Sequence, residues 1–83
     1  MYKIIWENDT EEELYNIPHF EKLLKKVTAY LVQSPKELGN PLTGKYKGLY
    51  RYRYGDYRII YQIVDDNKQV IILKVGHRKN VYD

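Results

Sequence analysis

Apolar positions along this chain follow two rhythms, and the change between them divides it. Residues 2–6, YKIIW, form a short run rich in β-branched and aromatic side chains and predict a strand. Thr10 is followed three residues later by Glu13, the spacing of a capping box, and Glu11 and Glu12 suit the positive end of a helix dipole. This first helix is predicted to stop near Asn16, because Pro18 keeps the residue before it out of helical geometry. Pro18 then fits the first turn of a second helix. Phe20, Leu23, Leu24, Val27, Tyr30 and Leu31 follow at helical spacing and share one apolar face, while Lys22, Lys25 and Lys26 lie largely off it as solvated surface. Ser34-Pro35 ends that helix.

Beyond residue 48 the period becomes two. Pro35, Gly39, Pro41, Gly44 and Gly48 make residues 34–48 read as a loop. Residues 49–54 and 57–64 are strands joined by the two-residue turn Gly55-Asp56, the signal of a type I′ or II′ hairpin. Asp65-Asp66-Asn67 makes the next turn, and residues 69–75, QVIILKV, are apolar enough for a central strand that Gly76 ends. The order β-α-α-β-β-β predicts an α+β domain spanning residues 1–83. Two N-terminal helices pack on one face of a small, mainly antiparallel four-stranded sheet, and part of the other face stays open.

Composition narrows the function classes. The chain has no cysteine, so disulfides, thiolate metal sites and thiol nucleophiles are excluded, and its two histidines, His19 and His77, are too few and too far apart to imply a metal or cofactor. Ten tyrosines stand against one phenylalanine, which suits a thin domain whose core rings reach water. No signal-peptide pattern or membrane-length apolar run occurs, so a soluble cytoplasmic protein without a membrane partner is expected. The net charge of +3 is unevenly spread: residues 1–40 carry 5 basic and 7 acidic side chains, residues 41–83 carry 9 and 4.

Much of that basic excess falls on the hairpin LYRYRYGDYRIIY, residues 49–61. A two-residue turn fixes its register: Tyr54 faces Tyr57, Arg53 lies opposite Arg58, and Arg51 shares their face one pleat step away. Like charges directly opposite each other cost about 0.2–1 kcal/mol. Two readings account for them. Arginine stems can cover apolar sheet while their heads stay wet or pair with acids. Alternatively the guanidinium forks form an anion site for phosphate oxygens, with tyrosine rings nearby for bases to stack on. Lys45 and Lys47 upstream, and Arg78 and Lys79 after the last strand, extend the same sign.

These residues resemble the RelE/ParE toxin superfamily, the toxin half of prokaryotic toxin–antitoxin pairs. The resemblance rests on Leu42-x-Gly44 before the sheet, on Gly55-Asp56-Tyr57-Arg58-Ile59-Ile60-Tyr61, and on Val75-Gly76-His77-Arg78 followed by Val81-Tyr82. It implies a type II toxin of the RelE-like kind, a ribosome-dependent mRNA endonuclease cutting in the A site. Its implied catalytic residues are Arg51, Arg53, Arg58, Arg78 and Tyr82, with Lys45, Lys47, His77 and Lys79 as RNA contacts. The implied partners are a cognate antitoxin, in a toxin–antitoxin hetero-oligomer, and the ribosome with its mRNA.

RelE-type enzymes carry lysines where this chain has Arg51 and Arg53. Arginine keeps its proton, so neither residue can act as a base here. Tyr82 is the implied base, and the proton donor is Arg78 on the resemblance or His77 on its chemistry. Two other functions fit the same superfamily: a ParE-like inhibitor of DNA gyrase, and a catalytically degenerate toxin acting as a binding module with its antitoxin.

Overall fold

The computed structural model describes residues 1–81. The expected strand, Lys3–Trp6, is β1. Helix α1 spans Thr10–Tyr15, with Asp9 rather than Thr10 at its N-cap and no side-chain cap bond. The capping box therefore does not form: Thr10 is the first helical residue, 2 % exposed, and its Oγ1 has no hydrogen-bond partner among the described residues. Helix α2 covers Phe20–Lys26. Pro18 lies before it instead of in its first turn, because His19 adopts a left-handed conformation (φ 58°) at the N-cap and resets the chain direction.

A π-helical turn, Val27–Leu31, continues α2. Val32 N–H reaches back five residues to Val27 O at 3.3 Å, and Thr28 Oγ1 donates to Leu24 O at 2.9 Å. The extra residue in this turn rotates the apolar face. Tyr30, expected in the core, is 54 % exposed, and Val32 is buried instead.

The segment read as a loop holds two short elements: helix α3, Pro35–Leu38, and strand β2, Asn40–Pro41. A 3₁₀ turn, Gly44–Tyr46, leads on to β3, Tyr50–Tyr54; β4 spans Tyr57–Val64 and β5 spans Gln69–His77. Among the described residues the sheet thus has five strands, in the order β1-β5-β4-β3-β2, with β1 parallel to β5 and the other pairs antiparallel. Strand β5 does not stop at Gly76, which pairs with Arg58 and carries the strand on to His77. The chain then turns into a short helix α4, Arg78–Val81. No helix among the described residues is long and apolar enough to cross a membrane.

One face of the sheet carries the core. Ile59, Tyr61, Val70, Ile72 and Val75 pack with Leu14, Ile17, Leu23, Val27 and Leu31 from the helical layer, and Tyr50, Tyr52, Tyr54 and Tyr57 join at its rim. The hairpin tyrosines therefore face the helices, away from the arginines, and offer no stacking platform beside them.

Tyr61 ties this core to α3. Its ring is fully buried, its hydroxyl donates to Pro35 O at 2.6 Å, and burial pushes the phenol above its ordinary pKa of about 10. Gly39 is needed for space rather than for its φ of −99°: a Cβ there would overlap Tyr61 Oη and lie 2.8 Å from Cζ. Gly39→Ala is expected to destabilise the fold by roughly 1–3 kcal/mol, the usual range for overpacking. Tyr61→Phe should relieve part of that clash, so denaturant titration of both single variants and the double variant should give a double-mutant cycle with a favourable coupling. Strict additivity would show that Gly39 is not packed against Tyr61.

Candidate functional site

The open face is organised by two adjacent cross-strand rows. Arg53 on β3 pairs with Arg58 on β4, which pairs with Gly76 on β5. One pleat step further from the turn, Arg51 pairs with Ile60, which pairs with Lys74. The Gly55-Asp56 turn sets this register, with positive φ at Gly55 (59°) but not at Asp56, the sign pattern of a type II′ turn.

Ile60 explains part of the arrangement. Alternation with Ile59 and Tyr61 points it away from the helices, yet it is only 2 % exposed. Arg51 and Lys74 flank it in its row, where their aliphatic stems can cover it while their cationic heads reach outward. The same side chains can thus serve the fold through their stems while carrying their charge at the tips.

The three hairpin arginines differ in how they are held. Arg58 is 8 % exposed, and its Nη1 donates to Gly55 O at 2.9 Å and to Tyr57 O at 3.0 Å, so the turn's own backbone fixes the guanidinium. Arg51 is half-buried, and its Nε is buried without a hydrogen-bond partner among the described residues. Arg53 is exposed. The ion pairs Lys36–Asp65 (2.9 Å) and Arg78–Asp56 (4.0 Å) leave both Arg51 and Arg53 without an acidic partner among the described residues.

Arg78 is anchored to the same turn. Its backbone N–H donates to Asp56 O at 2.8 Å, and its Nε lies 4.0 Å from Asp56 Oδ1. The carbonyls of Gly55 and Asp56 therefore hold one arginine side chain and the start of the helix that carries another. Lys79 follows on α4 and is exposed.

Other expected contacts fall elsewhere. Lys45 and Lys47 are exposed in the β2–β3 connection, at the Tyr50 end of β3 and so at the opposite end from the turn; Lys45 Nζ sits 5.2 Å from the Tyr46 ring centroid. His77 pairs with Tyr57 and shares its face, turned away from Arg58. Its ring meets Tyr57 edge-on at 5.7 Å between centroids. Tyr82 lies outside the described residues.

Lys74 is the residue that reading the sequence overlooked. Strict alternation from Val70 and Ile72 would point it into the core. Between the pairs Tyr61–Ile72 and Ile60–Lys74, Leu73 is an extra residue, and this irregularity reverses the parity of β5. Lys74 joins the arginine face and Val75 turns inward. An apolar run without alternation gives no sign of that shift.

Comparison with known proteins agrees with this architecture. The profile of the ParE toxin of type II toxin–antitoxin systems matches residues 4–82. The toxin RelG of Mycobacterium tuberculosis is 29% identical over 85 residues, covering 98% of this chain and 95% of its own. The RelBE2 toxin–antitoxin complex of the same organism superposes with a TM-score of 0.83 at 28% identity, over 93% of this chain and 98% of that one. The isolated RelE toxin of Escherichia coli shares the fold, with a TM-score of 0.76 at 24% identity over 93% of this chain and 84% of its own. With the family profile, the sequence match and the superposition all spanning nearly the whole length, this chain belongs to the RelE/ParE superfamily as a member of the ParE toxin family of type II toxin–antitoxin systems.

Proposed function

We propose that this toxin is a ribosome-dependent mRNA endonuclease. The observation that carries the reading is the set of Arg51, Arg53 and Arg58 in adjacent rows on the open sheet face, with neither Arg51 nor Arg53 neutralised by an acid among the described residues. Setting like charges directly opposite one another costs a fold about 0.2–1 kcal/mol. Arg51 Nε, a buried donor with no acceptor among the described residues, points the same way, since leaving such a group unpaired costs about 1–3 kcal/mol.

The reaction is attack of an RNA 2′-hydroxyl on the adjacent phosphorus. A bond forms from O2′ to phosphorus and the bond from phosphorus to O5′ breaks, giving a 2′,3′-cyclic phosphate and a free 5′-hydroxyl. The charge that builds on the phosphoryl oxygens falls to the arginines, which are fixed on strands and permanently ionised. Tyr82 takes the 2′-hydroxyl proton, and Arg78 assists the departing oxygen. Tyr52 and Tyr61 do not suit the base role: they face the helices, and burial raises both phenols. The ribosome presents the mRNA, and a cognate antitoxin covers the basic face in the resting complex.

Expression of the toxin followed by mapping of mRNA 5′ ends, with and without translating ribosomes, tests the reading. Cuts within translated codons that vanish without ribosomes are expected; growth arrest with intact mRNA would overturn it. The match to a family named for ParE favours a second reading, a gyrase-directed inhibitor. Loss of gyrase supercoiling on adding the purified toxin would support that one.

Lys74 gives a further check. If it contacts a phosphate beside the arginine site, Lys74→Met should reduce the slope of log affinity against log salt for ribosome binding by roughly 0.7–0.9, and Lys74→Arg should restore it. An unchanged slope in the methionine variant would place Lys74 outside the contact surface.

A further inference from the structure

The first N–H groups of a helix have no partner within it, so the position of α4 depends on what satisfies them. Two acceptors do so. Arg78, the first residue of α4, donates its N–H to Asp56 O at 2.8 Å. Lys79, the second, donates its N–H to His77 Nδ1 at 3.2 Å. The second bond has the spacing of an N-cap side chain accepting from the N2 amide.

We propose that His77 is the N-cap of α4 and a positioning residue for Arg78, not a proton-transfer group of the site. Three observations carry this. His77 Nδ1 is occupied as an acceptor, which requires the ring's proton to sit on Nε2. The ring is half-buried and packed edge-on against Tyr57, which fixes the direction of Nδ1. Its face of β5 is opposite to that of Gly76, the residue paired with Arg58, so the imidazole points away from the arginine rows. His77 thus acts through the backbone of α4, together with the turn carbonyl of Asp56.

The catalytic readout rests on the nuclease reading, and the test separates the two. His77→Asn supplies another good capping acceptor without an imidazole, whereas His77→Phe keeps a ring against Tyr57 and removes the acceptor. In ribosome-programmed cleavage, the asparagine variant should stay within about threefold of the unmutated kcat, and the phenylalanine variant should lose about tenfold in kcat with KM little changed, the scale of one lost cap. Hydrogen exchange at the Lys79 amide should quicken in the phenylalanine variant alone. A folded asparagine variant that keeps Lys79 protected but loses activity as far as phenylalanine does would overturn the proposal, because the imidazole would then itself react. Unchanged Lys79 exchange in a folded phenylalanine variant would also overturn it. If the phenylalanine variant does not fold, the asparagine variant decides. If the unmutated protein cuts no mRNA, the nuclease reading has failed by itself, and growth arrest by the same variants replaces kcat as the measure of the cap.

Discussion

Arg53→Gln is expected to abolish growth inhibition while leaving the melting temperature unchanged or slightly raised. Arg53 is exposed, has no acidic partner among the described residues, and sits directly across from Arg58. Removing its charge relieves a repulsion of about 0.2–1 kcal/mol and breaks no side-chain bond to the hairpin among the described residues. Activity should fall by roughly 10²–10³-fold, the usual consequence of losing one group that stabilises transition-state charge. Arg58→Gln should be equally inactive but less stable. Its Nη1 donates to two carbonyls, at 2.9 and 3.0 Å, and glutamine is too short to replace both bonds. Charge-assisted bonds of this kind contribute about 1.5–3 kcal/mol, more than the repulsion returns. Thermal unfolding should therefore separate the two variants, by about 4–8 °C for each kcal/mol in a domain of this size. A toxic Arg53→Gln protein with a lowered melting temperature would make Arg53 structural, and the site would have to be placed elsewhere.

The contrast between these arginines marks where the sequence stops being informative. That Arg53 faces Arg58 follows from a two-residue turn and period-two alternation, both of which are local. That Arg58 is held by turn carbonyls while Arg53 is free of them depends on side-chain reach and on what covers the sheet, which no local pattern encodes. The face taken by Lys74 is hidden for a related reason. Its face is decided by one extra residue in β5 opposite the Ile60–Tyr61 step, and register irregularities leave no trace in a run such as QVIILKV. Tyr30 was misplaced because helical spacing assumes 3.6 residues per turn, and the π-helical turn at Val27–Leu31 breaks that assumption. Strand β2, only Asn40–Pro41, is too short to carry any alternation; it exists because β3 offers it a partner at Tyr50 and Arg51. His77 read as part of a tail because Gly76 looked like a terminator, whereas pairing with Arg58 carries the strand through the glycine.

A larger effect is expected at the proposed base. Tyr82→Phe keeps the ring and removes only the hydroxyl, so binding to ribosomes should change little while cleavage falls by roughly 10²–10⁴-fold, the range for loss of a general base. A phenol with an ordinary pKa of about 10 would be ionised in only about one molecule in a thousand at pH 7. A base of this kind therefore needs cationic neighbours to favour its anion, which the arginine rows can supply. Charge and hydroxyl are then coupled: Arg53→Gln combined with Tyr82→Phe should cost less than the product of the two single losses, because an unionised Tyr82 has little left to lose. The nucleophile is tested separately, by replacing the one ribose 5′ to the scissile phosphate with deoxyribose. No cleavage is expected, since the attacking oxygen is gone. A deoxy substrate that is still cut would exclude 2′-hydroxyl attack whatever the variants do. A blocked deoxy substrate alongside a fully active Tyr82→Phe would keep the reaction and remove Tyr82 from it. The base would then have to be sought elsewhere on the open face. Lys74 is the lysine that the sheet register places beside the arginines, and Lys74→Met would be the variant to assay next.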